Sequence, residues 1–173
     1  MILLGRVALL LALTVSMVPA QSAGVSLIPE VFQVFELPIT ITNPTLVKSK
    51  HGYVLKCALA NASEFRQLGF RYSLAVIDSG TGATTLVSRN EGFTLGPYQT
   101  KNMTFTTPLR LKLNGDERLV LMPEQVISTD YVWEVVQAKD ALASYISGDY
   151  STTPRVMRML NQVDAPVPLR IIF

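Results

Sequence analysis

The chain has 173 residues, 49% of them apolar and 16% charged, with fifteen basic residues against thirteen acidic ones. That length suits a single domain, and the near-neutral balance excludes the strongly basic surface that nucleic-acid binding needs. A single cysteine, Cys57, excludes an intramolecular disulfide, so the fold must stand on its hydrophobic core.

Residues 1–20 hold one basic residue, Arg6, then an apolar run over 7–15 and the small-residue exit Val18-Pro19-Ala20. This layout predicts a secretory signal peptide, cleaved after Ala20 or, as second choice, after Ala23. The run falls short of the about 20 apolar residues of a membrane span, so no stable transmembrane span is expected after cleavage. Residues 21–30 read as a flexible lead-in.

Residues 31–42 form the first strand region, with Ile39-Thr40-Ile41-Thr42 in clean alternation and Pro38 marking an edge or bulge. Asn43-Pro44-Thr45 is a turn signal. Two alternating runs follow, over 53–60 and 70–76. Period 2 puts Tyr53, Leu55, Cys57 and Leu59 on one face of the first run, and Phe70, Tyr72, Leu74 and Val76 on one face of the second. Asp78-Ser79-Gly80-Thr81-Gly82 predicts a hairpin turn. A short strand over 84–88 and a turn over 89–92 come next, then a strand over 98–106. Leu109-Arg110-Leu111-Lys112-Leu113 alternates strictly. Asn114-Gly115 predicts a hairpin whose return strand covers 118–122. Residues 131–135 are a strand with the only tryptophan, Trp133.

The pattern changes after residue 136. Residues 137–147 have apolar residues at helical spacing, and Gly148 is a natural stop. Thr153-Pro154 predicts the start of a second helix. Its apolar face is Val156, Met159, Leu160 and Val163. Residues 167–173 read as a last strand. The expected organisation is a signal peptide (1–20), a lead-in (21–30), a β-sandwich (31–136) and a C-terminal helical appendage with a final strand (137–173). Prolines at 29, 38, 97, 108 and 123 speak against a continuous barrel wall.

The Ile-Thr-Asn-Pro end of the first strand resembles immunoglobulin-like modules of exported bacterial proteins. So do the Leu-Ala-Asn-Ala-Ser end of the next, the Gly-Pro before a later strand and the late strand with Trp133. Fibronectin type III and adhesion-like domains are the nearest types, and the resemblance covers residues 31–136. It implies a mostly-β, immunoglobulin-like antiparallel sandwich that serves as a binding or structural module of the cell envelope.

Few residues offer chemistry. His51 is the only histidine and sits in a polar loop without a nucleophile elbow nearby. One histidine and one cysteine, with no dense acidic loop, give no basis for a metal or other cofactor. Glu134, between Val132 and Val136 beside Trp133, is the one strand acid that invites inspection for two-carboxylate glycan hydrolysis. A solvent-facing side chain is the simpler reading. Arg110, Lys112 and Arg118, brought together across the Asn114-Gly115 turn, read either as an anion-facing interaction surface or, more simply, as a solvated strand face whose charges discourage edge-to-edge pairing. Asn61 and Asn102 stand in N-glycosylation patterns. The residues favour a non-catalytic exported module whose partner is an envelope protein or a glycan. A glycan hydrolase and a subunit assembling by strand addition are the alternatives.

Overall fold

The computed structural model describes residues 26–149 and 152–161. Its elements are β1 (Ser26–Leu27), β2 (Glu30–Val31), β3 (Ile39–Ser49), β4 (Gly52–Asn61), β5 (Gln67–Ile77), β6 (Thr84–Leu95), β7 (Thr100–Thr104), β8 (Arg118–Ser128), β9 (Tyr131–Val136), α1 (Ala138–Ser147) and β10 (Arg155–Leu160). The first sheet has the order β1-β3-β4-β7. The second has the order β10-β9-β8-β5-β6, with β2 also alongside β8. Pairing is antiparallel except in the two-residue β2–β8 contact. Both β1 and β2 lie in or next to the stretch read as a lead-in. The segment 1–20 expected to be a signal peptide and the strand expected over 167–173 lie outside the described residues.

The two alternating runs are β4 and β5, and they fall in different sheets. Their marked faces meet in one core: Leu55, Cys57 and Leu59 from β4 are buried together with Phe70, Tyr72 and Leu74 from β5. Phe70 links the layers most directly. Its ring lies 5.7 Å from that of Phe93 on β6 and 5.4 Å from that of Phe105, whose backbone N–H donates to Leu55 O on β4. Burial also pushes the Cys57 thiol up to about 12, so it stays a small buried hydrophobe rather than a reactive thiolate.

Four local expectations are corrected. Asn43-Pro44-Thr45 is not a turn between strands but a bulge inside β3. The register with β4 shifts between Thr42 and Thr45, and Asn43 has φ 50°. A bulge absorbs the proline without ending the ladder. The expected turn over 89–92 is likewise part of one strand, β6, because β5 offers Arg71 to Gly69 as partners for Asn90 to Gly92.

The predicted hairpin around Asn114-Gly115 does not form. Leu109 is held by Tyr53 through both backbone groups, and Arg118 opens β8, which pairs with β5. The turn at 114–117 is closed instead by the Glu117 carboxylate, which accepts from the Asn114 and Gly115 N–H groups.

The predicted second helix is β10. Its six residues pair with all six of β9, and Val156 packs on the core while Arg158 lies over the Tyr131 ring. A short apolar set at 156, 159 and 160 does not separate period 3.6 from period 2, and a free strand edge decides between them. The described residues therefore hold one helix, not two. That helix ends as its sequence predicts: Gly148 adopts the left-handed conformation and its N–H reaches the Ser144 and Tyr145 carbonyls.

Candidate functional site

The alternate face of β5 carries Arg71, Ser73 and Ala75. Beside them β8 bulges. Tyr72 pairs with Pro123 and Arg71 with Gln125, so Glu124 has no partner on β5. The bulge tolerates Pro123 in a strand paired on both sides, and it turns the Glu124 carboxylate over this face. Glu124 Oε2 accepts from Arg71 Nε at 3.0 Å, and Glu124 Oε1 accepts from the Ser73 hydroxyl. Glu134, on β9, accepts from Arg71 Nη2 at 2.7 Å. Ser73 in turn shares a 2.7 Å hydrogen bond with Ser88 on β6. The first turn of α1, with Gln137, Lys139 and Asp140, borders an open cleft over the cluster.

The arrangement is a triad closed on itself. The Arg71 guanidinium lies between the two carboxylates and hydrogen-bonds to both. Its desolvation favours the neutral form, but the Glu134 and Glu124 contacts outweigh it and hold its pKa above the ordinary arginine value. Glu124 is nearly buried, with 7% of its side chain exposed, while Arg71 and Glu134 are about a third exposed. A two-carboxylate hydrolase needs one carboxyl to protonate a leaving group and the other to face the sugar. Here one cation occupies the space between them. Sequence reasoning singled out Glu134 but missed Arg71 and Glu124, because only the bulge and the β5–β8–β9 order bring them together.

Comparison with protein-family models, with curated proteins and with solved structures finds no match. The residues themselves carry the functional argument.

The three cations expected together divide. Arg110 and Lys112 line a groove with Val76, Thr85 and Val87. Arg118 is bound to Glu30, with Nη2 2.9 Å from its carboxylate. Glu30 also accepts from the Tyr145 hydroxyl, and that contact, then Arg118, lowers its pKa. Phe32 stacks on Tyr145 at 4.1 Å, so β2 and its flank fasten α1 to the second sheet.

His51 is exposed at the β3–β4 turn. Among the described residues no group of three or more His, Cys, Asp or Glu is placed to hold a metal ion. No helix among them is long and apolar enough to cross a membrane. Asn61 is 3% exposed, and its side-chain amide donates to the Phe65 and Gly96 carbonyls. A glycan on that nitrogen would take one of its two N–H donors, break one of these bonds and need space that a buried side chain lacks, so the pattern at Asn61 is a structural clasp. Asn102 is exposed.

A second polar cluster lies where β6 faces the core. Tyr72 Oη, Arg89 Nε and Glu91 Oε1 are buried without a hydrogen-bond partner among the described residues. Burial pushes the Glu91 carboxyl above its ordinary value of 4.5, and Arg89 offsets this in part. For an acid raised in the folded state, stability is full below the unfolded pKa and is lost as pH rises through the folded one. Glu91→Gln therefore gains stability over the wild type above about pH 4.5, by a margin that grows with pH and then levels off. Urea melts across pH 4 to 8 measure the margin; a margin independent of pH would show that Glu91 is not desolvated.

Proposed function

We propose that this protein is an exported, non-catalytic binding or accessory module of the cell envelope, built as a β-sandwich of the broad immunoglobulin-like kind. Two sheets around one core and a short strand parallel to β8 support the architecture. Taken as A-B-E and G-F-C-C′, the orders β3-β4-β7 and β9-β8-β5-β6 support the likeness in strand order as well as in architecture. The apolar run after Arg6 and the small residues before Ala20 support export.

One observation carries the binding role. β6 is twelve residues long and, among the described residues, pairs on one side only. A free edge presents a row of backbone donors and acceptors, the surface on which an extended partner segment adds as a further strand. The self-closed Arg71 triad weighs against the hydrolase reading.

The test places photo-crosslinking side chains along β6 at Thr84, Leu86 and Ser88, and at the control position Lys139 on α1, in the full chain expressed with its own leader. Crosslinks to one defined envelope protein from the β6 positions, and not from Lys139, are the expected result. No β6 crosslinks, together with glycan hydrolysis that Glu134→Ala abolishes, would replace this reading with the enzymatic one.

A further inference from the structure

The free edge of β6 has two unlike halves. Towards Leu95 the strand turns Arg89 and Glu91 inward. Inward-pointing charges on an edge discourage strand addition, and further covering of the Glu91 carboxylate would add to its desolvation. Towards Thr84 no charge is present. Beneath that half lies a groove of about 320 Å³, with Val76, Thr85 and Val87 on one wall and residues 110–113 on the other.

The second wall is an extended segment outside any strand. The backbone ladder that ties the chain to β4 ends at Leu109. Beyond it Leu111 and Leu113 pack against the core, while Arg110 and Lys112 are exposed. Neither cation is in an ion pair among the described residues, whereas Arg118 is. Among the described residues the groove therefore combines an unpaired strand edge, an apolar floor and two cations outside any ion pair, on alternate positions.

From this we infer that the Thr84–Ser88 half of β6 docks an extended segment of another protein in which apolar and acidic residues alternate. The apolar side chains enter the groove over Val87, Leu111 and Leu113. The acidic ones face Arg110 and Lys112, and the backbone pairs with β6. This rests on the strand-addition reading and names the partner's chemistry. Period 2 is what lets one strand satisfy both walls: side chains of one parity meet the apolar floor while the other parity stays outside, next to the cations. The charges set register and partner choice, and the backbone pairing supplies the remainder.

The probe is a capped, fluorescent peptide of alternating valine and glutamate, titrated by anisotropy into the mature full-length chain. A valine–lysine peptide of the same length is the comparison. The expected result is saturable binding of the acidic peptide, weakened by salt, and none of the basic one. Arg110→Ser with Lys112→Ser weakens binding about tenfold or more, as loss of two facing charges requires. Thr85→Glu, an exposed substitution on the opposite wall, weakens it independently. Arg118→Ser leaves it unchanged, because that cation is engaged with Glu30. Equal binding of the two peptides, retained affinity in the Arg110/Lys112 variant, or no binding would each overturn the inference. If β6 still crosslinks a partner in cells while the acidic peptide fails, the binding-module reading stands and only the partner chemistry falls.

Discussion

Phe70→Ala lowers the unfolding free energy by about 3–5 kcal/mol, the range for removing a large buried aromatic side chain. Phe70 is 1% exposed. Its ring contacts those of Tyr72 and Phe93 in the second sheet and Phe105 at the edge of the first. Removing it costs the transfer energy of the ring and leaves a cavity between layers that cannot close, since both walls are held by backbone ladders. The aromatic contacts add about 0.5–1.5 kcal/mol each beyond area burial, which places the effect towards the upper end. Urea denaturation followed by Trp133 fluorescence measures it. Phe93→Ala, at a half-buried ring, costs less. A loss below about 1 kcal/mol for Phe70→Ala would mean that the two sheets do not share this core.

Arg71→Met lowers stability by about 2–3 kcal/mol. Breaking a fully buried pair by removing one partner costs roughly 3–5 kcal/mol, because the remaining charge stays buried. The discount comes from exposure: Arg71 and Glu134 are about a third accessible, so water screens part of the change and Glu134 can turn to solvent. Glu124 cannot. Its carboxylate keeps only the Ser73 hydroxyl, in a bulge that fixes its direction. The double variant Arg71→Met with Glu124→Met recovers most of the loss, to within about 1 kcal/mol of wild type, since the buried charge leaves with its partner. Chemical denaturation of the two single variants and the double variant gives the coupling directly. Additive losses would mean that Arg71 and Glu124 do not interact, and the triad would lose its standing as a closed unit.

Much of the fold is legible in particular residues. The alternation of β4 and β5 marks the same side chains that are buried, because a strand with one face in the core must repeat every two residues. The Asp78 turn is legible as well. Its carboxylate accepts from the Gly80 and Thr81 N–H groups, and the Thr81 bond leads in holding its pKa below the ordinary value. The end of α1 is written in Gly148. Where the reading fails, the cause is a partner distant in sequence. Asn43-Pro44 has the local chemistry of a turn, and only the long pairing of β3 with β4 carries the chain through it as a bulge. Asn114-Gly115 has the chemistry of a hairpin, and the hold of Tyr53 on Leu109 prevents it. The stretch after Pro154 has an apolar set that suits a helix, and the open side of β9 makes it a strand.

Composition and period by themselves determined a mostly-β chain without disulfides, a core drawn from β4 and β5, and one helix stopped by Gly148. Those follow from forces acting over a few residues: side-chain alternation, turn geometry and the fixed conformational demands of glycine and proline. The tertiary structure alone decided which charges meet. Arg71, Glu124 and Glu134 come from three strands and are joined by sheet order and one extra residue in β8. Arg118 goes to Glu30, 88 positions away, and leaves Arg110 and Lys112 beside the β6 edge without an ion pair among the described residues. Ion pairs and edges are set by which strands lie side by side, and that order is a long-range property which no local pattern encodes.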